Sequence, residues 1–221
     1  EKYNEALEAL NRILADDPGH PVANRLLMYT QDKLKIYDAV IAAGIEEGGH
    51  PLSDDVTLMV LLPRIAESVK IPVIATGGIA DGRGLAAALC LGAEGVLMAT
   101  RFIATRECQV HPGVWEELIQ RQENETTLIC KSVGLQGRAL KNKLAEQVLD
   151  LEAKGAGLNE LIPLLAGQRA QEAWQNGELD SAAVMVGQSV GLVKEVTTCA
   201  ELIQSMVGQT REIMDYNRAR L

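Results

Sequence analysis

Two short apolar runs in the middle of the chain each open into a turn of small residues. The first run ends in Gly77-Gly78 and the second in Ala99-Thr100. If these runs are neighbouring parallel strands, about 4.8 Å apart, both turns lie at the same edge of the sheet. Glycine lets backbone N–H groups approach a ligand closely there, and a helix N-terminus adds positive charge. The spacing favours a phosphate site that needs no lysine; the alternative is that the glycines only make tight turns.

One histidine stands where a base could act. His50 follows Gly48-Gly49, in the loop after another apolar run. Barrel enzymes place their active-site groups at the C-terminal ends of strands. An imidazole titrates near about pH 6.5, so it can accept a proton from carbon at neutral pH. The alternative is a loop histidine that only hydrogen-bonds locally.

Hydrophobic periodicity predicts alternating strands and helices around these residues. Strands are expected over 36–43, 71–75 and 95–99, with helices over 56–69 and 85–89. That order implies right-handed βαβ units and a parallel sheet. Beyond residue 105 we expect no comparable strand, and the pattern indicates helices near 113–123, 139–153, 158–175 and 199–217. Residues 183–186 could form a short strand or a buried helix, and periodicity does not decide between them.

The first 34 residues follow a different, helical period. Two apolar helical faces flank the turn Asp16-Asp17-Pro18-Gly19. The segment resembles a tetratricopeptide-type helical hairpin, and a generic helical hairpin is the alternative. The predicted domains are therefore this hairpin, residues 1–34, and an α/β part, residues 35–221.

Composition limits the partners. The 221 residues carry a net charge of −9, which argues against nucleic acid or an anionic membrane surface. The four cysteines form no metal-binding pair, so we expect free thiols, no metal and a cytoplasmic location. Arg101 could bind phosphate, although surface ion pairing is the commoner fate. Glu46 and Glu47 could repel an anionic substrate or bind a backbone N–H group.

Three separated strings resemble one family of enzymes. The string IPVIATGGIADGRGLAAALCLGAEGVLMATRF is similar to the flavin-phosphate region of the nitronate monooxygenases, also called 2-nitropropane dioxygenases. AGIEEGGH resembles their Gly-Gly-His loop, and GELDSAAVMVGQSVGLVKEV resembles their C-terminal segment. Flavin-dependent enoyl-acyl-carrier-protein reductases share the first string. The resemblance covers residues 36–221.

The resemblance implies an FMN cofactor and a set of site residues. Gly77, Gly78, Ala99 and Thr100 would contact the FMN phosphate through their backbone, and Gly48 and Gly49 would lie against the flavin or its ribityl chain. His50 would face the substrate as the base, and Gln188 and Ser189 would lie near the flavin. The substrate would be a small molecule, either a nitronate oxidised with oxygen or, in the reductases, an enoyl thioester. The organic chemistry would belong to the flavin.

The chain also departs from the family pattern. The family usually has a small residue at Glu47, often has a glycine where Pro51-Leu52 stands, and usually has glycine at Ala99. Only three of the eight strands of a TIM barrel are predicted, so the fold class is a partial (β/α)8 barrel, its C-terminal strands, with a helical C-terminal region and an N-terminal α-hairpin. A partner chain, a second copy or the hairpin would then cover the open sheet. A truncated inactive barrel, a non-catalytic binding module and a flavin-free phosphate-binding barrel stay open as alternatives.

Overall fold

A computed structural model describes residues 39–51 and 55–220. The chain divides into two compact units, residues 1–40 and 41–221, and nearly all described residues belong to the second. The hairpin predicted for residues 1–34 and the start of the first predicted strand lie outside the described residues. The predicted domain boundary after residue 34 therefore stays a prediction.

The described residues form five strands and eight α-helices. The strands are β1 (Val40–Ala43), β2 (Val73–Thr76), β3 (Gly95–Leu97), β4 (Thr126–Ile129) and β5 (Gly137–Leu140). The helices are α1 (Leu58–Ser68), α2 (Gly82–Cys90), α3 (Thr100–Ile103), α4 (Pro112–Gln120), α5 (Lys143–Ala153), α6 (Leu158–Leu165), α7 (Gly167–Asn176) and α8 (Cys199–Arg218). Short 3-10 helices cover Leu179–Ser181 and Gln188–Leu192.

The predicted parallel sheet is confirmed for strands β1 to β3, which lie side by side in sequence order. Strands β2 and β3 pair in parallel with Thr76 opposite Leu97. The N–H group of Gly44, just after β1, donates to the carbonyl of Thr76 over 3.0 Å. All three strands therefore end at one edge of the sheet, which is the arrangement of a partial α/β barrel.

Helices α1, α2 and α8 belong with this sheet. Buried side chains from the strands and these helices share one apolar core, which includes Leu62, Ala75 and Leu202. Helix α8 is tied to the start of α2, because Gly82 donates its N–H to Gln209 Oε1 and accepts at its carbonyl from Thr210 Oγ1. The helix predicted near 199–217 thus completes the layer that covers the sheet.

Residues 106–196 form an insertion between β3 and α8. The insertion leaves and re-enters the sheet-bearing part at one neck, where Thr105 and Thr197 form a parallel bridge. At this neck Arg106 donates its N–H to the Thr197 carbonyl over 2.9 Å. Entry and exit are therefore neighbours, and the insertion has two apolar cores of its own.

The insertion corrects four predictions. Strands β4 and β5 form an antiparallel hairpin, although no strand was expected beyond residue 105. The helix expected over 139–153 begins only at Lys143, because residues 137–140 belong to β5. The helix expected over 158–175 is two helices, since Ala166 has a non-helical ψ of 127°. Residues 183–186 are neither strand nor helix but an extended segment, in which the Val184 carbonyl accepts from Leu140 N–H.

Within the described residues, no helix combines the length and the apolar character required to cross a bilayer.

Candidate functional site

The two glycine-bearing turns meet at one small cavity. The cavity has a volume of about 80 Å³ and lies beyond the ends of β2 and β3. Six of the residues predicted to contact the flavin line it, namely Gly48, Gly77, Gly78, Ala99, Thr100 and Ser189, and so does Glu47. Sites that enclose a drug-sized ligand measure roughly 300–1,000 Å³, so this cavity can take only a small group, such as one end of a nucleotide.

Three of the residues that line this cavity, Gly78, Ala99 and Thr100, have backbone N–H groups without a partner among the described residues. No hydrogen bond between described residues uses the N–H group of Gly78, Ala99 or Thr100 as its donor. Unpaired N–H groups at adjacent strand ends are suited to an anion, and Thr100 also begins helix α3. Ala99 has a φ of −114°, so its methyl group is tolerated where a glycine was expected.

Gly77 keeps the floor of the cavity open. Its φ is +101°, a value that favours glycine. A Cβ placed on Gly77 would lie 3.2 Å from the backbone nitrogen of Glu47 and 3.2 Å from the Gly44 carbonyl oxygen. A side chain at this position would therefore be strained by its positive φ and would crowd the loop after β1.

A segment of the insertion, residues 186–189, forms the opposite wall. Gly187 donates its N–H to the buried Thr100 hydroxyl over 2.9 Å, and Gln188 donates its N–H to the Glu46 carbonyl over 2.9 Å. Gly48 packs directly on this segment, because a Cβ there would come within 2.5 Å of Gly187 N and Val186 C. Gly48 is thus needed for chain packing as well as for access to the cavity.

Ser189 offers a further donor. The residue is buried, yet its hydroxyl makes no hydrogen bond to another described residue and is not sealed from solvent. Thr76, which was not singled out in the sequence, lines the same cavity. The structure does not place Gln188 among the lining residues; its backbone holds the wall instead.

His50 lies on the loop after β1 and is held by the insertion. Its Nδ1 is 3.0 Å from the carbonyl oxygen of Gln136. A carbonyl oxygen only accepts, so Nδ1 carries the hydrogen in this contact and Nε2 is left as the acceptor of a neutral ring. Beside this contact, Gly49 and Arg138 each donate their backbone N–H to the other's carbonyl. Neither Gly49 nor His50 lines the small cavity.

Arg138 stabilises the base of the same loop. Its buried guanidinium donates to the Ile45 carbonyl and to Thr126 Oγ1. Burial lowers the pKa of Arg138, and the negative charges of Glu46 and Asp55 oppose that shift. Glu46 accepts the N–H of Leu58 at both carboxylate oxygens, one of the two roles expected for it.

The prediction that Arg101 would be a surface residue was wrong. Arg101 is 5% exposed, and it donates to the Ala104 carbonyl and, at 3.5 Å, to Thr197 Oγ1. Burial lowers the pKa of its guanidinium. The buried Arg101 side chain thus contacts both chain segments of the neck, at Ala104 and at Thr197.

The geometry defines an α/β-barrel part that presents unpaired amides at two adjacent strand ends, with a histidine-bearing loop beside them. A family model described as nitronate monooxygenase matches residues 24–209. The chain therefore belongs to the nitronate monooxygenase family. Members of this family are flavin-dependent oxidoreductases, and their solved relatives have the α/β-barrel fold seen here.

Individual relatives agree with this assignment. The chain is 32% identical to the (3aS,4S,5R,7aS)-5-hydroxy-7a-methyl-1-oxo-octahydro-1H-indene-4-carboxyl-CoA dehydrogenase of Rhodococcus jostii, over 80% of this chain and 60% of that protein. It is 32% identical to a probable nitronate monooxygenase of Staphylococcus saprophyticus, over 80% of this chain and 52% of that protein. The structure of FabK from Thermotoga maritima superposes with a TM-score of 0.79 at 35% identity, covering 90% of this chain and 61% of FabK. The chain thus spans between one half and two thirds of the length of these relatives.

Proposed function

We propose that this chain binds FMN by its phosphate and carries the base of a nitronate-oxidising flavin enzyme. The observation that supports the proposal best is a group of three N–H groups beside one cavity, at Gly78, Ala99 and Thr100, which donate to no other described residue. Two adjacent parallel strands supply them, so the site needs no lysine. Phosphate groups bind at this edge in many barrels.

The residues fit the phosphate end of the cofactor. Gly78, Ala99 and Thr100 would donate backbone hydrogen bonds to phosphate oxygens, and the Ser189 hydroxyl would add a fourth. Gly77 would allow the phosphate to approach the backbone closely. Gly49, where an added Cβ would meet no atom within 4 Å, would lie nearer the rest of the cofactor. When bound, the flavin supplies the electron acceptor that passes substrate electrons on to oxygen.

His50 would act on the substrate proton. With Nδ1 held by the Gln136 carbonyl, Nε2 of the neutral ring can take the proton from the carbon beside the nitro group of a neutral nitroalkane, which leaves the nitronate that the flavin would oxidise. The resulting imidazolium would keep its Nδ1 hydrogen bond. The insertion therefore fixes which ring nitrogen serves as the base.

A second candidate is reduction of an acyl thioester. The Rhodococcus relative is named for a carboxyl-CoA substrate, and FabK, whose structure superposes on this chain, is 35% identical to it. In a flavin-dependent enoyl reductase the same phosphate site would serve, with NADH as the electron source. The candidates therefore differ in substrate and reductant but not in the phosphate site.

Flavin titration tests the binding step. Purified chain is titrated at about pH 6, near the second pKa of a phosphate, with FMN and with riboflavin, while flavin fluorescence is followed. We expect FMN to bind more tightly. Ser189→Ala should weaken FMN by about 10- to 100-fold, the range for a hydrogen bond to a charged group, and leave riboflavin unchanged. Ser181→Ala, whose hydroxyl bonds the Glu178 carbonyl elsewhere in the insertion, is the matched control.

Equal affinity for FMN and riboflavin would show that the phosphate is not recognised. A protein that binds inorganic phosphate but neither flavin would favour the flavin-free barrel.

Activity assays separate the two candidates. Oxygen uptake with an alkyl nitronate and no nicotinamide supports nitronate oxidation. NADH oxidation that requires an enoyl thioester supports the reductase. A flavin-loaded chain inactive in both assays would favour a non-catalytic binding module.

A further inference from the structure

Glu47 places a carboxyl group at the cavity proposed for the phosphate. The residue lines the cavity together with Gly77, Gly78 and Ser189. A Cβ on Gly77 would lie 3.4 Å from the Cβ of Glu47, so the glutamate stands directly over this glycine. The sequence predicts that Glu47, which stands where the family usually has a small residue, either repels an anionic substrate or binds a backbone N–H group.

The carboxyl group of Glu47 has no partner among the described residues. No hydrogen bond or ion pair involves its side chain, and burial raises the pKa of this carboxyl. Glu46, the preceding residue, is by contrast held by the N–H of Leu58. The free carboxyl of Glu47 is therefore available to whatever enters the cavity.

Among the described residues, no charged group offsets the effect of burial on the pKa of Glu47. Among the residues lining the cavity, Glu47 alone is titratable. Around it, Glu46 and His50 share its loop, Arg138 lies on β5, and Arg101 lies on α3, but none of these contributes to the raised pKa of Glu47. The segment 186–189 carries no charged side chain.

A phosphate monoester brings two negative charges to this place. At pH 7 it carries about −1.5 to −2, with a second pKa near 6. Two like charges that share a site cannot both stay fully ionised, so one proton is retained between them. Unpaired N–H groups stabilise one anion here, but an ionised carboxylate in the same cavity would repel it.

We propose that a phosphate-bearing flavin binds this site together with one proton, which is shared between its phosphate and the carboxyl group of Glu47. This inference rests on the proposed FMN site and deepens it. The protonated group donates a hydrogen bond where two anions would otherwise face each other. Glu47 thereby makes the site selective for the protonation state of the ligand.

The sign of the pH dependence follows from this extra proton. Above the pKa values of both free groups, the complex holds one proton more than its separated components. The affinity for FMN then falls about tenfold for each pH unit, because one proton must be taken from solution. Riboflavin has no phosphate, so its affinity should not change over the same range.

The experiment measures FMN and riboflavin affinity by fluorescence between about pH 6 and about pH 9, on either side of the neutral range where phosphate becomes fully ionised. Wild-type protein should lose on the order of 100-fold in FMN affinity across the upper two pH units. Glu47→Gln should lose this slope and bind FMN more tightly than wild type at the alkaline end. Glu94→Gln is the matched control, because exposed Glu94 lies before β3, at the opposite end of that strand. It should keep the wild-type slope.

Calorimetry on the wild type gives a second readout that needs no variant. Titrations in two buffers of different ionisation enthalpy should show about one proton taken up per FMN at alkaline pH and none per riboflavin. Zero uptake with FMN, or the same slope in wild type and Glu47→Gln, overturns the coupling while leaving the flavin site intact. Failure of both proteins to bind FMN at any pH overturns the flavin site and the coupling together.

Discussion

The hydroxyl of Thr100 links the phosphate turn to the insertion, and its removal has a calculable effect. Thr100 is 6% exposed and accepts the N–H of Gly187 over 2.9 Å. In Thr100→Val the shape is nearly kept, but the buried N–H of Gly187 loses its acceptor. An unsatisfied buried donor costs about 1–3 kcal/mol in free energy of unfolding.

Urea denaturation and thermal melting measure this cost. For a chain of this size each kcal/mol corresponds to about 2–4 °C, so the melting temperature should fall by about 2–12 °C. FMN affinity should fall too, because Ser189 follows Gly187 on the wall of the cavity, although the backbone N–H of residue 100 is still present.

Thr127→Val is the control for this prediction, since Thr127 lies in β4 and its side chain makes no hydrogen bond to a described residue. A valine there should change stability by less than about 0.5 kcal/mol. If Thr100→Val is equally neutral, the proposed link between the turn and the insertion contributes nothing.

Three further predictions follow from other contacts. His50→Gln should lower turnover of a neutral nitroalkane by about 10²- to 10⁴-fold while turnover of the preformed nitronate and FMN affinity stay constant, and unchanged turnover of the nitroalkane in a steady-state assay would remove His50 as the base. Gly48→Ala should destabilise the chain in urea by at least about 1–3 kcal/mol, because its Cβ would meet Gly187 N at 2.5 Å, whereas Gly208→Ala, inside helix α8 and with no atom within 4 Å, should not. Although burial opposes it, hydrogen bonds from Ser132 and Cys130 hold the pKa of Glu152 below its ordinary value. Its contribution to stability is therefore present above about pH 4.3 and lost as the pH falls through the lowered pKa, so the difference in urea midpoint between wild type and Glu152→Gln should shrink in acid; a constant difference would contradict this.

The turns that follow β2 and β3 could be predicted because the sequence patterns that specify them are local. The apolar runs of β2 and β3 and the glycines at 77 and 78 each specify their own backbone. Parallel pairing then brings the two turns together without further information. The same reasoning predicted α2, whose N-terminal cap is the side chain of Asp81.

The hairpin β4–β5 was missed because its strands are short and carry a weak pattern. Each has four residues, and all four residues of Gly137–Leu140 are buried, so no alternation marks the strand. Ala139 and Leu140 also continue the apolar pattern of α5 backwards. Residues 139 and 140 could extend helix α5 or pair with β4, and the pairing with β4 determines that they form a strand.

The contacts that shape the site depend on residues far apart in sequence. Gln136 and His50 are 86 residues apart, and Gly187 and Thr100 are 87 apart. No local sequence pattern predicts either pair, so the contact that holds Nδ1 of His50 could not be predicted from the sequence. The burial of Arg101 was missed for the same reason, since its partner Thr197 lies beyond the insertion.

A crystal structure of the chain grown with FMN at mildly acidic pH tests the central claim most directly. We predict the phosphate within hydrogen-bond distance of the backbone nitrogens of Gly78, Ala99 and Thr100, with Glu47 beside it. A flavin whose phosphate lies elsewhere, with these three N–H groups facing only water, would contradict the account.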